Sequence, residues 1–230
     1  MIKNTLAIIT ARGGSKRIPR KNIKNFLGRP IIAYSIEAAI ASGCFDEVMV
    51  STDDEEIASI ARNSKAVVPF LRTRKTSDDF ASTADVISEV LMGYSRLGRT
   101  FSFVCCIYPA APFITAEKIK AGYDLIIKTG ADSVIPVVRF DYPVQRALEI
   151  KSGRLRMLWP ENRDVRSQDL TPAYHDAGQF YWLNVERFLK GRVLFGDNAF
   201  PLEVPASEVQ DIDTDEDWAL AEMKFRMLNA

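Results

Sequence analysis

Short apolar runs alternate along the chain with stretches of helical periodicity, and this alternation restricts the fold more than any other feature. Leu6-Ala7-Ile8-Ile9 leads to Gly13-Gly14, the pattern of a buried parallel strand feeding a glycine loop. Pro30 then stands at the start of a helix in which Ile31, Ile32, Tyr34, Ser35, Ala38 and Ala39 recur at helical spacing up to Gly43. Residues 48–52 predict the next strand. Asp53-Asp54 open a helix over Glu55–Asn63, with carboxylates where the helix dipole favours them. Further on, 67–70 is a short extended piece and 83–97 a helix with Asp85 and Glu89 outward. Residues 103–108 form a strand interrupted at Pro109, Thr115 caps another helix, and 133–138 return to the sheet. Residues 179–183 read as a strand and 216–228 as a closing amphipathic helix. The order specifies an α/β fold: a Rossmann-like, open, mostly parallel sheet with helices on both faces.

With 230 residues and 47% hydrophobic composition, the chain can bury one sizeable core, so 1–230 is expected to be a single domain. After Tyr142 the pattern loosens through Gly153, Pro160, Pro172 and Gly178, making about 140–180 a turn-rich insertion. Such spans within compact domains are more often functional than idle. Lys plus Arg balances Asp plus Glu at 30 each, so no global field recruits nucleic acid or a membrane surface; anions must be bound by local clusters. Cys44, Cys105 and Cys106 are odd in number and lack metal-ligand spacing, which suits reduced core residues of a cytoplasmic protein. The apolar run near the N-terminus is too short for a signal segment or membrane span.

The strongest local signal is Ala11-Arg12-Gly13-Gly14-Ser15-Lys16-Arg17-Ile18-Pro19-Arg20-Lys21-Asn22, five cations around two glycines directly after the first strand. Glycines admit backbone N–H groups close to phosphate oxygens, and Arg and Lys neutralise a triphosphate. The glycine spacing is that of neither a P-loop nor a dinucleotide fingerprint. Asp211-Ile212-Asp213 places two carboxylates at alternate positions, on one side of an extended segment. Two hard oxygen ligands suit Mg²⁺, which takes one or two carboxylates plus phosphate and water oxygens. The same stretch, through Thr214 or Asp215, also suits capping of the last helix.

The segment Arg12-Gly13-Gly14-Ser15-Lys16 with Pro19-Arg20-Lys21-Asn22 resembles the signature loop of the CMP-sialic acid synthetase group of cytidylyltransferases. That resemblance implies the nucleotide-diphospho-sugar transferase type of fold, with Arg12 and Lys16 holding the triphosphate and Lys21 and Asn22 lining the nucleotide site. Ser51-Thr52-Asp53-Asp54, Val68-Pro69-Phe70-Leu71-Arg72, Ser77-Asp78-Asp79, Tyr108-Pro109, Tyr142-Pro143-Val144-Gln145-Arg146-Ala147-Leu148 and 174–182 look like the branch of that group that activates pseudaminic acid. The match implies nucleotide contacts from Ser77 and Asp78, a nucleotide or sugar contact from Arg72, and a sugar contact from Tyr108. It supports Mg²⁺ on Asp211 and Asp213. It also implies a homodimer in which 140–180 completes the neighbouring sugar pocket. One departure is Ala110, where the branch is expected to carry Thr.

Four further candidates come from residue chemistry. Arg166 can pair bidentately with a substrate carboxylate. His175, the only histidine, is a candidate base oriented by Asp176, or a sugar-positioning residue. Gln179 and Tyr181 share one face of their strand, toward the sugar. The expected reaction is attack of the anomeric hydroxyl of an acidic nine-carbon sugar on the α-phosphorus of CTP, catalysed by Arg12, Lys16, Asp211 and Asp213. The base is a metal-bound water or hydroxide, or a carboxylate near Asp211 or Asp213. Sialic, legionaminic or deoxyoctulosonic acid as the sugar, and a non-catalytic nucleotide-binding protein, are the alternatives.

Overall fold

The structure, a computed structural model, describes residues 4–78 and 80–229. In chain order its elements are β1 (Thr5–Thr10), the small hairpin β2 (Asn25–Phe26) and β3 (Arg29–Pro30), α1 (Ile31–Ala41), β4 (Glu47–Ser51), α2 (Glu55–Asn63), α3 (Thr83–Arg96), β5 (Phe103–Ile107), α4 (Ala116–Thr129) and β6 (Ser133–Arg139). A second hairpin, β7 (Leu148–Lys151) and β8 (Arg154–Met157), precedes β9 (Tyr174–Asp176), β10 (Phe180–Asn184), α5 (Val185–Gly191), β11 (Ala199–Glu203) and α6 (Asp215–Leu228).

The main sheet runs β11-β6-β10-β5-β1-β4, with β9 added to β6. β1 pairs in parallel with β4 and β5, and β6 with β11, whereas β10 is antiparallel to both β5 and β6, and β9 to β6. Five strands therefore point one way and two the other, which bears out a mostly parallel sheet. Alternation explains the two cores. Ala7 and Ile9 of β1, with Phe180 and Trp182 of β10, meet α1, α2 and α4; Leu6, Ile8, Tyr181 and Leu183 meet α3 and α5. Helices thus cover both faces. The three cysteines are buried and form no disulfide, and burial raises the Cys105 thiol and pushes the Cys106 thiol up to about 12, so neither of these two supplies a thiolate.

Helix starts follow local capping chemistry. Asp54 accepts from the backbone N–H groups of Glu56 and Ile57, and Thr115 from that of Lys118. Thr214 and Asp217 close a capping box at α6, as Ser82 and Asp85 do at α3. Glu89 is not simply an outward residue of α3: it accepts from the Thr73 N–H and the Thr73 and Thr76 hydroxyls, tying the 73–76 turn to the helix. In α4, a Cβ on Gly122 would stand 2.7 Å from Trp182 Cδ1. The indole cannot yield, because Nε1 donates to the Ile119 carbonyl at 2.9 Å and the ring stacks on Phe45. Gly122→Ala is expected to destabilise the fold by about 1–3 kcal/mol, read as a lowered Tm.

Candidate active site

All five co-directed strands end at one edge of the sheet, and a cleft of about 680 Å³ opens there. Open α/β sheets bind ligands outside the carboxyl ends of their strands. The loop after β1 supplies Arg12, Ser15, Lys16, Arg17, Lys21 and Asn22 to the wall. The segment after β4 supplies Arg72, Thr76 and Asp78; β5 is followed by Tyr108 and Ala110; the stretch after β11 brings Asp211 and Asp213. Five cations thus face three carboxylates, an excess of positive charge in a concave site that favours a polyanion.

Apolar anchoring sets the two walls against each other. Ile18 of the basic loop and Ile212, between the two aspartates, are both buried in one cluster with Phe26, Phe113 and Trp218. Burying Ile212 points Asp211 and Asp213 the other way, so the alternate spacing read from the sequence places both on the cleft. Lys21 Nζ donates to the Ile212 carbonyl at 2.6 Å, and the Asn22 amide donates to the Arg12 carbonyl at 2.9 Å, so these two residues shape the loop as well as line it.

The cations divide by task. Arg12 donates to the Asp78 carbonyl, and the Asp78 carboxylate caps the turn by accepting from Phe80 and Ala81 N–H groups. Arg20 turns away from the cleft, a correction to the sequence expectation: it forms ion pairs with Asp54 and Glu56. The Gly13 N–H donates to Asp53, and a Cβ on Gly13 would lie 2.8 Å from Asp54 Oδ2, so only glycine allows this approach of the loop to α2. Arg20, helped by the Ile57 and Glu56 N–H groups, holds the Asp54 carboxyl at about 2. A depressed folded value stabilises the protein above the unfolded range and is lost as pH falls through the folded one. Asp54 is therefore expected to contribute on the order of 1–2 kcal/mol above about pH 4, disappearing toward about pH 2. Acid titration of stability should show the wild type converging on Asp54→Asn across that window.

Arg72 is buried, with its guanidinium donating to Ser51 Oγ, the Ser51 carbonyl and the Thr76 carbonyl. Burial pulls its pKa below the ordinary value against the attraction of Asp53 and Glu89, and each of its hydrogen-bonded partners is neutral. Tyr108 lines the cleft with its hydroxyl 3.2 Å from Thr83 Oγ1. Ala110, in place of the expected Thr, also lines it, where a hydroxyl's hydrogen bond would contribute about 1 kcal/mol.

Several expected residues lie elsewhere. Ala11 is buried beneath the loop, Gly13 and Gly14 form its backbone, and Ser77 bonds back to the Thr73 carbonyl. Gln179 and Tyr181 are buried behind the wall: Gln179 Nε2 donates to the Glu208 carbonyl, and Tyr181 donates to Asp176. The Asp176 carboxylate also accepts from Gly178 N–H and is not the group that meets His175, whose Nδ1 lies against the Asp176 backbone carbonyl. His175 is exposed on β9 against Phe140, and Arg166 is exposed and paired with Asp169; neither lines this cleft. Asp79 lies outside the described residues. Thr76, Thr83 and Gln210 line the cleft without any sequence signal to mark them, and Arg17 was read only as one of the loop's cations.

No group of three or more ligating side chains is found among the described residues. Asp211 and Asp213 nevertheless fit Mg²⁺, which asks for only one or two protein carboxylates. The Asp213 carboxylate faces two protein cations, Arg17 Nη1 at 2.6 Å from Oδ2 and Lys21 Nζ at 3.6 Å from Oδ1.

The family model described as Cytidylyltransferase matches residues 6–154. The pseudaminic acid cytidylyltransferase of Campylobacter jejuni is 40% identical over 223 residues, 96% of both chains. The CMP-N,N'-diacetyllegionaminic acid synthase of Legionella pneumophila is 30% identical over 227 residues, 97% of both. A solved CMP:2-keto-3-deoxy-manno-octonic acid synthetase complexed with CTP shares the fold, with a TM-score of 0.70 over 98% of both chains at 15% identity. With a family model matched over more than half of the chain and a relative 40% identical across 96% of it, the chain belongs to the cytidylyltransferase family.

Proposed function

We propose that the protein transfers CMP from CTP to the anomeric hydroxyl of pseudaminic acid and releases pyrophosphate. The observation that carries the reaction is the meeting, across one cleft, of the basic glycine loop with Asp211 and Asp213. The identity to the Campylobacter enzyme supports the sugar. The attacking group is the sugar's own hydroxyl, so the chain supplies position and charge rather than a covalent nucleophile. Arg12 and Lys16 hold the triphosphate and the departing pyrophosphate. Arg72 holds its charge toward the nucleotide in a desolvated position, and Tyr108 borders the sugar. When bound to Asp211 and Asp213, Mg²⁺ supplies charge neutralisation at phosphate oxygens.

A homodimer belongs to this reading. In the β7–β8 hairpin, Leu148 faces Met157 and Ile150 faces Leu155, so one face carries four apolar side chains, with Ile150 77% exposed. An isolated two-stranded hairpin is marginal in water. A second copy covering that face would bring the 140–180 segment, with Arg166, to the neighbouring cleft. Ile150→Asp combined with Leu155→Asp is expected to halve the mass seen by light scattering, and an unchanged mass removes the hairpin from the interface. Among the described residues no helix is long and apolar enough to cross a membrane, and three buried thiols outside any disulfide suit the reducing cytoplasm.

Pyrophosphate release with Mg²⁺, across CTP, UTP, ATP and GTP against pseudaminic, N-acetylneuraminic and deoxyoctulosonic acids, tests the assignment. Turnover confined to CTP and pseudaminic acid supports it. Turnover with another acid keeps the reaction and replaces the sugar; a chain inert throughout is a binding protein.

A further inference from the structure

Asp213 is the better enclosed of the two aspartates, and both of its oxygens already face cations of the chain itself. Arg17 Nη1 donates to Oδ2 at 2.6 Å, while Lys21 Nζ lies 3.6 Å from Oδ1 and donates to the Ile212 carbonyl. The two cations are held differently. Lys21 is 23% exposed and anchored by that carbonyl, whereas the Arg17 side chain is 69% exposed and Asp213 is its ion-pair partner among the described residues. Arg17 therefore can leave without unmaking the fold. The carboxylate stays behind, because the Asp213 N–H is fixed on Asp217 inside the capping box of α6. Arg17 also lines the cleft that faces the triphosphate loop, so the position it leaves and the position it can reach border the same space.

We propose that Arg17 is a positioning residue that occupies Asp213 until a polyphosphate draws its guanidinium away, so that the divalent metal and the nucleotide triphosphate enter together. The inference rests on the proposed Mg²⁺ role of Asp211 and Asp213. A guanidinium on Oδ2 repels a divalent cation and blocks one of the carboxylate's lone pairs. A triphosphate offers Arg17 a more highly charged partner of the bidentate geometry it favours. Because coupling between two ligands is reciprocal, the metal improves nucleotide binding by the factor by which the nucleotide improves metal binding. Arg17 thus contributes to the nucleotide site and against the metal in its absence, a combination that a purely structural surface ion pair does not produce.

The test is the binding of Mn²⁺ alone, without nucleotide, followed by the loss of the free-ion electron paramagnetic resonance signal. Wild type, Arg17→Gln, Arg17→Lys and the double variant Arg17→Gln/Asp213→Asn are compared after circular dichroism confirms that each is folded. Arg17→Gln is expected to bind Mn²⁺ about tenfold more tightly than wild type, within the usual range of coupling between sites. Arg17→Lys should stay near wild type, and the double variant should lose the gain. If Arg17→Gln binds no more tightly than wild type, the exchange is wrong, even where the double variant binds Mn²⁺ more weakly than Arg17→Gln, a result that leaves the metal role of Asp213 standing. If Arg17→Gln binds more tightly and the added Asp213→Asn changes nothing, the metal is not on Asp213, and both the exchange and that role fall.

Discussion

Asp213→Asn and Asp211→Asn are each expected to lower kcat for pyrophosphate release by about 10²–10³-fold, the scale on which a preorganised charge-stabilising group acts in a reaction without a covalent intermediate. The substitution keeps the size of the side chain and removes a hard anionic oxygen. Ile212 stays buried in its cluster and the Thr214–Asp217 capping box is untouched, so Tm should change little. Asp215→Asn is the control. That residue begins α6, is 81% exposed and pairs with Lys24, and its loss should leave turnover unaltered. Full activity in both Asp211→Asn and Asp213→Asn would remove the pair from the chemistry.

Arg72→Met should reduce kcat/KM for CTP by about 10²-fold or more, because a desolvated guanidinium facing a polyphosphate acts through a low local dielectric. A surface arginine replaced in the same way would matter far less. The variant carries a second cost. The Ser51 and Thr76 carbonyls lose their donor in a buried setting, which destabilises by about 1–3 kcal/mol. Activity should therefore be compared at a temperature where the variant is folded by circular dichroism. Arg72→Lys separates the two effects: it returns a charge but not the fork that reaches both carbonyls. A folded Arg72→Met enzyme with the wild-type kcat/KM for CTP would make Arg72 a structural residue only.

The parts of the fold legible in the sequence are those set by local chemistry. Helix α2 begins at Glu55 because Asp54 caps it, and α6 follows Thr214 for the same reason. The placement of Asp211 and Asp213 on one side followed from strand alternation alone. The direction of β10 was not legible: an apolar run such as Phe180-Tyr181-Trp182-Leu183 reads the same whichever way it enters a sheet. The two-residue strands β2 and β3 and the exposed hairpin β7–β8 carry no run long enough to stand out from loops. Partners across long stretches of sequence were equally hidden. Arg17 and Arg20 look alike in the loop, yet one meets Asp213 and the other Asp54, a choice made by the tertiary fold. Asp176 looked like a partner for His175 because the two are neighbours, but β9 turns its carboxylate to Tyr181 and Gly178.

The reversed direction of β10 makes the 140–180 insertion a modular arm. β6 leaves the sheet at the cleft edge and β10 enters at that same edge, with β9 pairing Val137–Arg139 on the way back. The intervening excursion thus starts and finishes at neighbouring points on the rim. Closing a longer or shorter chain between fixed ends changes the entropy only with the logarithm of its length. The arm can therefore be lengthened, trimmed or exchanged for that of a relative without disturbing the strand register beneath it. Diversity in the substrate can accumulate in a graft at the rim while the triphosphate machinery stays as it is.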